Sequence, residues 1–283
     1  MTATTPIRRR FSQVDVFTDT PLLGNALAVV HDADGLSTGQ MQAFARWTNL
    51  SETTFVLRPT DPAADYRVRI FTPGSEVRFA GHPTLGTCHA WREAGGVPRQ
   101  AGEVVQECGV GLVRIRLAPG EAAFAAPPMT DTPVEPALLA DVCRALGVAR
   151  DDVVAARRLD NGMPWLVLQL GSAADVLAVR PDAGALAALG DVGLVGAHPA
   201  GHAAQFELRA FAPSVGIVED PVTGSLNASV AQWLMARGVA PERYVAAQGA
   251  CVGRAGRITL ARDGDTLWVG GPTVGCVRGD VAF

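Results

Sequence analysis

Short apolar stretches between polar and turn-forming residues dominate the first part of the chain. Runs rich in β-branched and aromatic residues predict strands at 13–17, 27–30, 53–57 and 66–71. Between the second and third of these, residues 37–49 carry a roughly helical spacing of apolar residues, and Ser37 can cap that helix. A second helix is predicted at 83–94, where Gly95 and Gly96 end it, followed by strands at 103–107, 112–117 and 122–125.

A proline-rich stretch that we predict to be poor in regular structure then interrupts this order, at Pro127, Pro128, Pro133 and Pro136. We place a domain boundary there. Residues 1–127 are predicted to form an N-terminal lobe that the last strand, within 272–283, completes, and residues 128–271 a C-terminal lobe. In the second lobe we predict helices at 136–146, 183–189 and 221–237. Later strands are predicted at 153–159, 165–170, 192–197, 205–210, 256–260, 266–270 and 274–278.

Two short motifs occur in both halves of the chain and in the same order. Residues 69–73 (RIFTP) match residues 209–213 (RAFAP), and residues 83–87 (PTLGT) match residues 221–225 (PVTGS). Each half therefore spells R-x-F-x-P, a short loop, and then P-x-x-G-[ST] at the predicted start of a helix. Two spaced matches of this kind are improbable by chance, so the pattern predicts an internal duplication.

The two predicted helix starts have features of anion-binding sites. Backbone amides in a first helical turn have no partner within the helix, and the amides after Gly86 and Gly224 would therefore be free to bind a carboxylate or phosphate. Either copy alone is also explained by an ordinary helix start with a capping hydroxyl. Two copies in domains related by a pseudo-twofold axis would direct both helix starts into one cleft, which favours an acidic small molecule as ligand.

Groups that can exchange protons stand close to these motifs. His82 directly precedes the first P-x-x-G-[ST] motif, and Asp220 directly precedes the second. Glu52 lies where a predicted helix gives way to a strand, and partial burial there would raise its pKa toward neutrality and let it act as acid and base. A solvated turn carboxylate is the alternative interpretation of Glu52. The pair Gly24-Asn25 predicts a tight turn, either an ordinary loop or one with an amide that faces substrate.

Composition excludes several classes of protein. The formal net charge of -4 and the scattered arginines argue against nucleic acid as a partner. No apolar run approaches the roughly 20 residues of a membrane-spanning helix, and the N-terminus lacks the apolar core of a signal peptide, so we expect a cytoplasmic protein without a membrane partner.

The sequence also contains none of the features that would indicate a bound cofactor. All 24 basic side chains are arginines, which excludes a lysine Schiff base. The five cysteines are widely spaced, and His198 and His202 are separated by Pro199 and Gly201, so we predict no metal site. The sequence also lacks the glycine-rich motifs that bind nucleotides. We therefore expect no cofactor.

Four longer motifs resemble those of the PhzF family of phenazine biosynthesis proteins. They comprise residues 15–18 (DVFT) with Gly24-Asn25, residues 49–53 (NLSET), residues 79–87 (FAGHPTLGT) and residues 219–225 (EDPVTGS). The resemblance covers essentially the whole chain. It implies the diaminopimelate epimerase-like α+β fold, in which two pseudo-symmetric domains each wrap a sheet around a central helix, and it implies a homodimer.

The resemblance also implies roles for individual residues. Glu52 takes the place of the general acid/base glutamate, His82 and Asp220 those of two flanking catalytic residues, and Ser225 that of a hydroxyl near the substrate carboxylate. The positions expected to bind substrate are Gly24, Asn25, Ser51, Gly81, Gly86, Thr87, Gly224 and Ser225.

The expected activity is that of a cofactor-independent isomerase in natural-product and antibiotic biosynthesis, which moves a proton and a double bond in a small unsaturated cyclic acid. The substrate would resemble 2,3-dihydro-3-hydroxyanthranilate or a pyrroline carboxylate, and the sequence does not choose between them. An amino-acid racemase or epimerase is the nearest alternative, although related racemases carry cysteines where this chain has Gly81 and Asp220. A non-catalytic metabolite-binding protein is the other.

Overall fold

The computed structural model describes residues 7–283, apart from the side chain of residue 215. These residues form two compact units. The first comprises the described residues up to Leu22, then Ala26–Phe124 and Pro272–Phe283, and the second comprises Leu23–Asn25 and Ala125–Gly271.

The first unit is a sheet with two helices. Its strands are β1 (Arg8–Val16), β2 (Asn25–Val30), β3 (Glu52–Leu57), β4 (Tyr66–Phe71), β5 (Glu76–Val77), β6 (Glu103–Cys108), β7 (Gly111–Ala118), β8 (Glu121–Ala125) and β18 (Thr273–Ala282). Its helices are α1 (Thr38–Thr48) and α2 (Gly81–Glu93). The chain's last strand, β18, pairs antiparallel with the first, β1.

Helix α2 is the buried helix of this unit and packs against β1, β3 and β6. Its first eight residues are all buried. Gly86 permits the close approach of helix and sheet, because a Cβ at this position would lie 2.6 Å from Leu27 Cδ2 and 2.8 Å from Val16 Cγ2. The glycine thus serves packing of the helix against the strands around it.

The second unit has the same construction. Its strands are β9 (Thr130–Pro133), β10 (Val153–Asp160), β11 (Pro164–Leu170), β12 (Val192–Ala197), β13 (Phe206–Ala212), β14 (Ile217–Asp220), β15 (Arg243–Gln248), β16 (Gly256–Asp263) and β17 (Thr266–Gly271). Its helices are α3 (Pro136–Leu146), α4 (Ala173–Ala178), α5 (Ala183–Leu186) and α6 (Gly224–Ala236). Helix α6, almost wholly buried, packs against β10, β16 and β17.

Strand pairing repeats between the units. In the first, β2 is parallel to β3, β3 antiparallel to β4, and β4 antiparallel to β5 and parallel to β6. In the second, β11 is parallel to β12, β12 antiparallel to β13, and β13 antiparallel to β14 and parallel to β15. The predicted duplication is therefore present in the topology.

The R-x-F-x-P motif builds the same contact twice. Arg69 donates two hydrogen bonds to the carboxylate of Glu76, at 2.7 and 2.6 Å, and its guanidinium lies 5.1 Å from the centre of the Phe71 ring. The second unit repeats this arrangement at 2.9, 2.8 and 5.0 Å with Arg209, Glu219 and Phe211. A bidentate ion pair on an aromatic face explains why both arginine and phenylalanine recur in the motif.

Several predicted elements are confirmed and others need correction. Helix α3 has the predicted bounds, and Ser37 caps α1 through its hydroxyl, which accepts a hydrogen bond from the Gln40 amide at 3.2 Å. The expectation that residues 127–136 lack regular structure is wrong, because β9 pairs antiparallel with β10 there. All residues of β9 are exposed, so no apolar period marked this strand. Strands β5, β14 and β15 and helix α4 were also not predicted.

Candidate active site

Glu52 occupies the first position of β3. Helix α1 ends at Asn49 in a left-handed conformation (φ 55°, ψ 29°), and the chain then turns into the strand. Parallel pairing with β2 sets Glu52 opposite Leu27. The side chain as a whole is 18% exposed, but its Oε2 atom is shielded from solvent and accepts no hydrogen bond. The alternative interpretation of Glu52 as a solvated turn carboxylate is therefore wrong.

His82 is the second residue of α2 and is buried. Its Nε2 atom lies 3.5 Å from Glu52 Oε2. The fold thus brings together the two proton-exchanging groups that the sequence indicated in the first half of the chain. They are separated by 29 residues in the sequence.

Burial makes Glu52 a much weaker acid than an ordinary glutamate. It raises the pKa of the Glu52 carboxyl to about 7, while a hydrogen bond with Ser51 acts in the opposite direction. The predicted substrate-binding residue Ser51 therefore contacts the carboxyl directly. A carboxyl with a pKa near the working pH is present in both protonation states, as a group that must take up and return a proton requires.

The start of α2 differs from the prediction. The helix begins at Gly81, so Pro83 is its third residue, and the Thr84 amide already bonds to the Ala80 carbonyl at 3.2 Å. Proline has no amide hydrogen, and the amide of Gly81, the first residue of the helix, has no intrahelical partner. Of the two predicted substrate-binding glycines in this helix, Gly81 is the one at its start.

Gly86 and Thr87 lie within the helix and face the protein core. Gly86 is in the second turn, so its amide is not among the free first-turn donors, and no side chain fits beside it. Thr87 is fully buried, and its hydroxyl donates to Thr54 Oγ1 at 2.9 Å. The expectation that amides near Gly86 bind an anion is therefore wrong. The last two residues of the motif lie beyond the first turn of the helix, where they pack against the core.

Helix α6 begins later than predicted, at Gly224, because side chains hold the preceding residues in a turn. The Thr223 hydroxyl donates to Asp220 Oδ2, and the Thr223 amide donates to Gln248 Oε1 at 3.1 Å. The first intrahelical bond runs from the Asn227 amide to the Thr223 carbonyl at 3.1 Å. The three amides opening the helix, those of Gly224, Ser225 and Leu226, therefore have no intrahelical partner.

Ser225 is oriented by the turn that joins β10 to β11 and by the first residues of β11. Its hydroxyl oxygen accepts a hydrogen bond from the Trp165 indole at 3.2 Å and lies 3.6 Å from Met163 Sδ. The Asn161 side chain donates to the Ser225 carbonyl at 3.0 Å. These contacts fix the first turn of α6 from the side of the sheet.

The turn at Gly24-Asn25 contacts the residues around Asp220, before the start of α6. Asn25 is 2% exposed, and its amide nitrogen donates to Asp220 Oδ1 and to the Val222 carbonyl, both at 3.0 Å. The Gly24 carbonyl accepts a hydrogen bond from Arg254 Nε at 3.2 Å. Neither residue is part of an ordinary exposed loop, since the Asn25 side chain holds Asp220 in place.

Three residues for which the sequence predicted no role complete this network. Thr223, Asn227 and Gln248 are all buried and hydrogen-bonded to one another. A glutamine at the end of the apolar stretch 244–247 is a signal that points to Gln248, because a buried amide must find hydrogen-bonding partners. Asn161 and Trp165 carried no recognisable signal.

Metal-binding groups, reactive cysteines and membrane-spanning helices are three further features that could indicate a function. Within residues 7–283, no three histidine, cysteine, aspartate or glutamate side chains lie close enough together to hold a metal ion. Burial raises the pKa of the Cys88 thiol to about 12, so this cysteine in α2 is not a thiolate at neutral pH. In the part of the chain that the structure describes, no helix has the length and apolarity to cross a membrane.

The amino-acid sequence of this chain matches those of known proteins. The profile of the PhzC-PhzF family, described as phenazine biosynthesis-like proteins, matches residues 14–271. Antisense-enhancing sequence 1 from Schizosaccharomyces pombe is 35% identical, over 95% of this chain and 97% of that protein. The trans-2,3-dihydro-3-hydroxyanthranilate isomerase of Pseudomonas chlororaphis is 37% identical, over 80% of this chain and 79% of that protein.

Solved structures match the fold closely. A PhzF family protein from Bacillus anthracis superposes with a TM-score of 0.87 at 21% identity, covering 98% of this chain and all of that one. A probable proline racemase from Agrobacterium radiobacter superposes with a TM-score of 0.65 at 14% identity, covering 97% of this chain and 93% of the other. These matches confirm the predicted fold class, a diaminopimelate epimerase-like α+β fold.

Proposed function

Because the chain belongs to the PhzC-PhzF family of phenazine biosynthesis-like proteins, whose members similar to this chain include named isomerases, we propose that this isomerase moves a proton, and with it a double bond, within a small unsaturated cyclic carboxylic acid. One observation carries the proposal. The shielded carboxyl of Glu52, whose pKa burial raises to about 7, lies 3.5 Å from His82. Such a carboxyl can both remove and return a proton at neutral pH without a cofactor.

The proposed reaction begins with ionised Glu52. Its carboxylate removes a proton from a carbon that conjugation makes acidic, the electron pair of the broken C–H bond moves into the π system, and a double bond shifts. Protonated Glu52 then returns the proton to the far carbon of that system, so product and substrate have the same atoms and charge. His82, beside Glu52 Oε2, orients the carboxyl during both transfers.

For the second unit we propose a role in binding. The open amides of Gly224 and Ser225 suit a carboxylate, since the start of a helix carries partial positive charge. The Asp220 carboxylate suits a hydrogen-bond donor on the ring of the substrate, an N–H or O–H group. Gly81 provides a further amide without an intrahelical partner at the start of α2.

The substrate class follows from these groups and from the relatives. The Pseudomonas relative is named for trans-2,3-dihydro-3-hydroxyanthranilate, an acid with a ring donor, and a compound of this kind in natural-product biosynthesis is our first choice. Pyrroline carboxylates offer the same carboxylate and, when the imine nitrogen is protonated, a ring N–H donor, and they are the second. Assembly as a homodimer stays a prediction, to be checked by light scattering.

Proton NMR in deuterated water tests the reaction. With trans-2,3-dihydro-3-hydroxyanthranilate and pyrroline carboxylates as probes, we expect a shifted double bond, and deuterium at the carbon that receives the proton wherever the proton on Glu52 exchanges with solvent before it is returned. Deuterium at an inverted α-carbon with no shifted double bond would identify a racemase instead. Binding without any exchange would identify a metabolite-binding protein and overturn the proposal.

The pH dependence of the rate follows from the acidity of Glu52. Its pKa is raised to about 7, and the proton-removing form is the ionised one. We therefore expect kcat/KM to rise about tenfold per pH unit below pH 7 and to level off above it, because the ionised fraction of the free enzyme follows this course. Initial rates between pH 5 and 9 measure it. A midpoint near 4.5, the ordinary value for glutamate, would show that burial does not control the reactive group.

A further inference from the structure

Gln248, the last residue of β15, uses its whole hydrogen-bonding capacity on one short segment. It is 1% exposed. Its Oε1 atom accepts from the Thr223 amide at 3.1 Å and from Asn227 Nδ2 at 2.8 Å. Its Nε2 atom donates to the Asp220 carbonyl at 3.0 Å and to Thr223 Oγ1 at 2.9 Å. An amide side chain has two donor hydrogens and an oxygen with two lone pairs, so every position is filled.

These bonds set the direction of the Thr223 hydroxyl. The Nε2 group of Gln248 can only donate, so the Thr223 oxygen accepts from it and the hydroxyl hydrogen points to Asp220 Oδ2. On the other side, Asn25 Nδ2 donates to Asp220 Oδ1 at 3.0 Å. Both oxygens of Asp220 accept hydrogen bonds, an arrangement that suits an ionised carboxylate rather than a proton donor.

The backbone of the same segment is held just as closely. A Cβ at Gly249 would lie 2.6 Å from the Pro221 carbonyl oxygen, and one at Gly256 would lie 2.4 Å from Val222 Cγ2. The two glycines let β15 and β16 come directly against residues 221 and 222. Together with the bond from the Thr223 amide to Gln248, this packing keeps the segment out of α6 and leaves the first amides of the helix open.

We propose that Gln248 is a positioning residue for the isomerisation. It acts through Thr223 to hold Asp220 as a carboxylate that can accept a hydrogen bond from substrate, and it needs no contact with substrate itself. The inference rests on the proposed function, because it assigns Asp220 a part in that reaction. It predicts that the Thr223 hydroxyl matters to activity only as a donor to Asp220.

Two matched variants of Thr223 test this prediction. Thr223→Val keeps the shape of the side chain and removes the hydroxyl, and we expect kcat/KM to fall by about tenfold to a hundredfold, the range for a lost hydrogen bond to a charged group. Thr223→Ser keeps the hydroxyl and should stay within about threefold of the wild-type protein, since the donor survives. Gln248→Glu turns the Nε2 donor into an acceptor, which draws the Thr223 hydrogen away from Asp220, so we expect a loss like that of Thr223→Val. Thermal unfolding of each variant sets an assay temperature at which all are folded.

A double-mutant cycle separates positioning from a general structural role. In an Asp220→Asn background, Thr223→Val should cost no more than about a further threefold, because the group on which Thr223 acts has already changed. Equal losses from Thr223→Val in the two backgrounds, or equal rates for Thr223→Val and Thr223→Ser, would overturn the proposal. If instead the wild-type protein moves no proton in any probe, or Glu52→Gln is as active as wild type, the proposed function itself has failed, and the inference falls with it.

Discussion

Replacing Glu52 by glutamine is expected to lower the rate of proton transfer by about a hundredfold or more, the usual loss when a general acid/base group is removed. Glutamine has nearly the same shape and can occupy the same place in β3, but it cannot take up a proton. The measurement is the rate of deuterium incorporation and double-bond shift under saturating substrate. Exposed Glu135, which precedes α3 without capping it, supplies the matched control, and Glu135→Gln should keep the wild-type rate.

The same substitution is expected to stabilise the protein at alkaline pH. Because the pKa of Glu52 is raised from 4.5 to about 7 in the folded protein, the stability that its protonated form contributes is fully present below pH 4.5 and is lost as the pH rises through 7. One pKa unit corresponds to about 1.4 kcal/mol, so the ionised carboxyl costs about 3 kcal/mol above pH 7. Glutamine does not titrate and escapes this cost.

Urea unfolding of wild type and Glu52→Gln at pH 5 and pH 8.5 measures the difference. We expect the variant to gain stability relative to wild type between the two pH values. A variant that loses activity without this gain would mean that the carboxyl is not buried in the folded protein. A variant that keeps full activity would remove Glu52 from the mechanism altogether.

Glu219→Gln is expected to lower the free energy of unfolding by about 3–5 kcal/mol, because it leaves the Arg209 guanidinium buried without its counter-charge. The side chains of this ion pair are 4% and 9% exposed, and Arg209 also donates to the carbonyls of Val176 and Val179. The pair therefore ties β13 and β14 to the end of α4. Urea unfolding at pH 7 measures the loss.

The internal duplication supplies the control for this prediction. Glu76→Gln breaks the equivalent pair in the first unit, where the arginine and glutamate side chains are 23% and 41% exposed. We expect a loss below about 1 kcal/mol there, because solvent screens an exposed pair and hydrates the remaining charge. Equal losses at the two sites would show that burial does not decide the strength of this repeated contact.

Local interactions account for the parts of the fold that the sequence predicted well. Helix α1 lies between Ser37 and Asn49, two caps whose contacts reach three or four residues along the chain. Helix α3 begins at Pro136 and ends before Gly147, which takes a left-handed conformation. Such patterns can be recognised in a single sequence because the two residues of each contact lie within a few positions of each other.

The helix starts of the duplicated motif show where such local signals stop. The motif P-x-x-G-[ST] occurs in both halves, yet its proline is the third residue of α2 and lies three residues before α6. The difference arises from contacts that are distant in sequence, above all the bonds between Gln248 and Thr223. Sequence identity within the motif was therefore a guide to its ancestry and a poor guide to its conformation.

The sequence by itself determined the duplicated architecture, the family, and Glu52, His82, Asp220 and Ser225 as candidate residues, because motif order and residue chemistry are properties of the chain alone. Only the tertiary structure decided what those residues can do. The pKa of Glu52 depends on its burial in the folded protein, its approach to His82 depends on where α2 packs, and the direction of the Asp220 hydrogen bonds depends on Asn25, far away in the sequence. Desolvation and hydrogen-bond geometry are set by neighbours in space, and a single sequence does not reveal which neighbours those are.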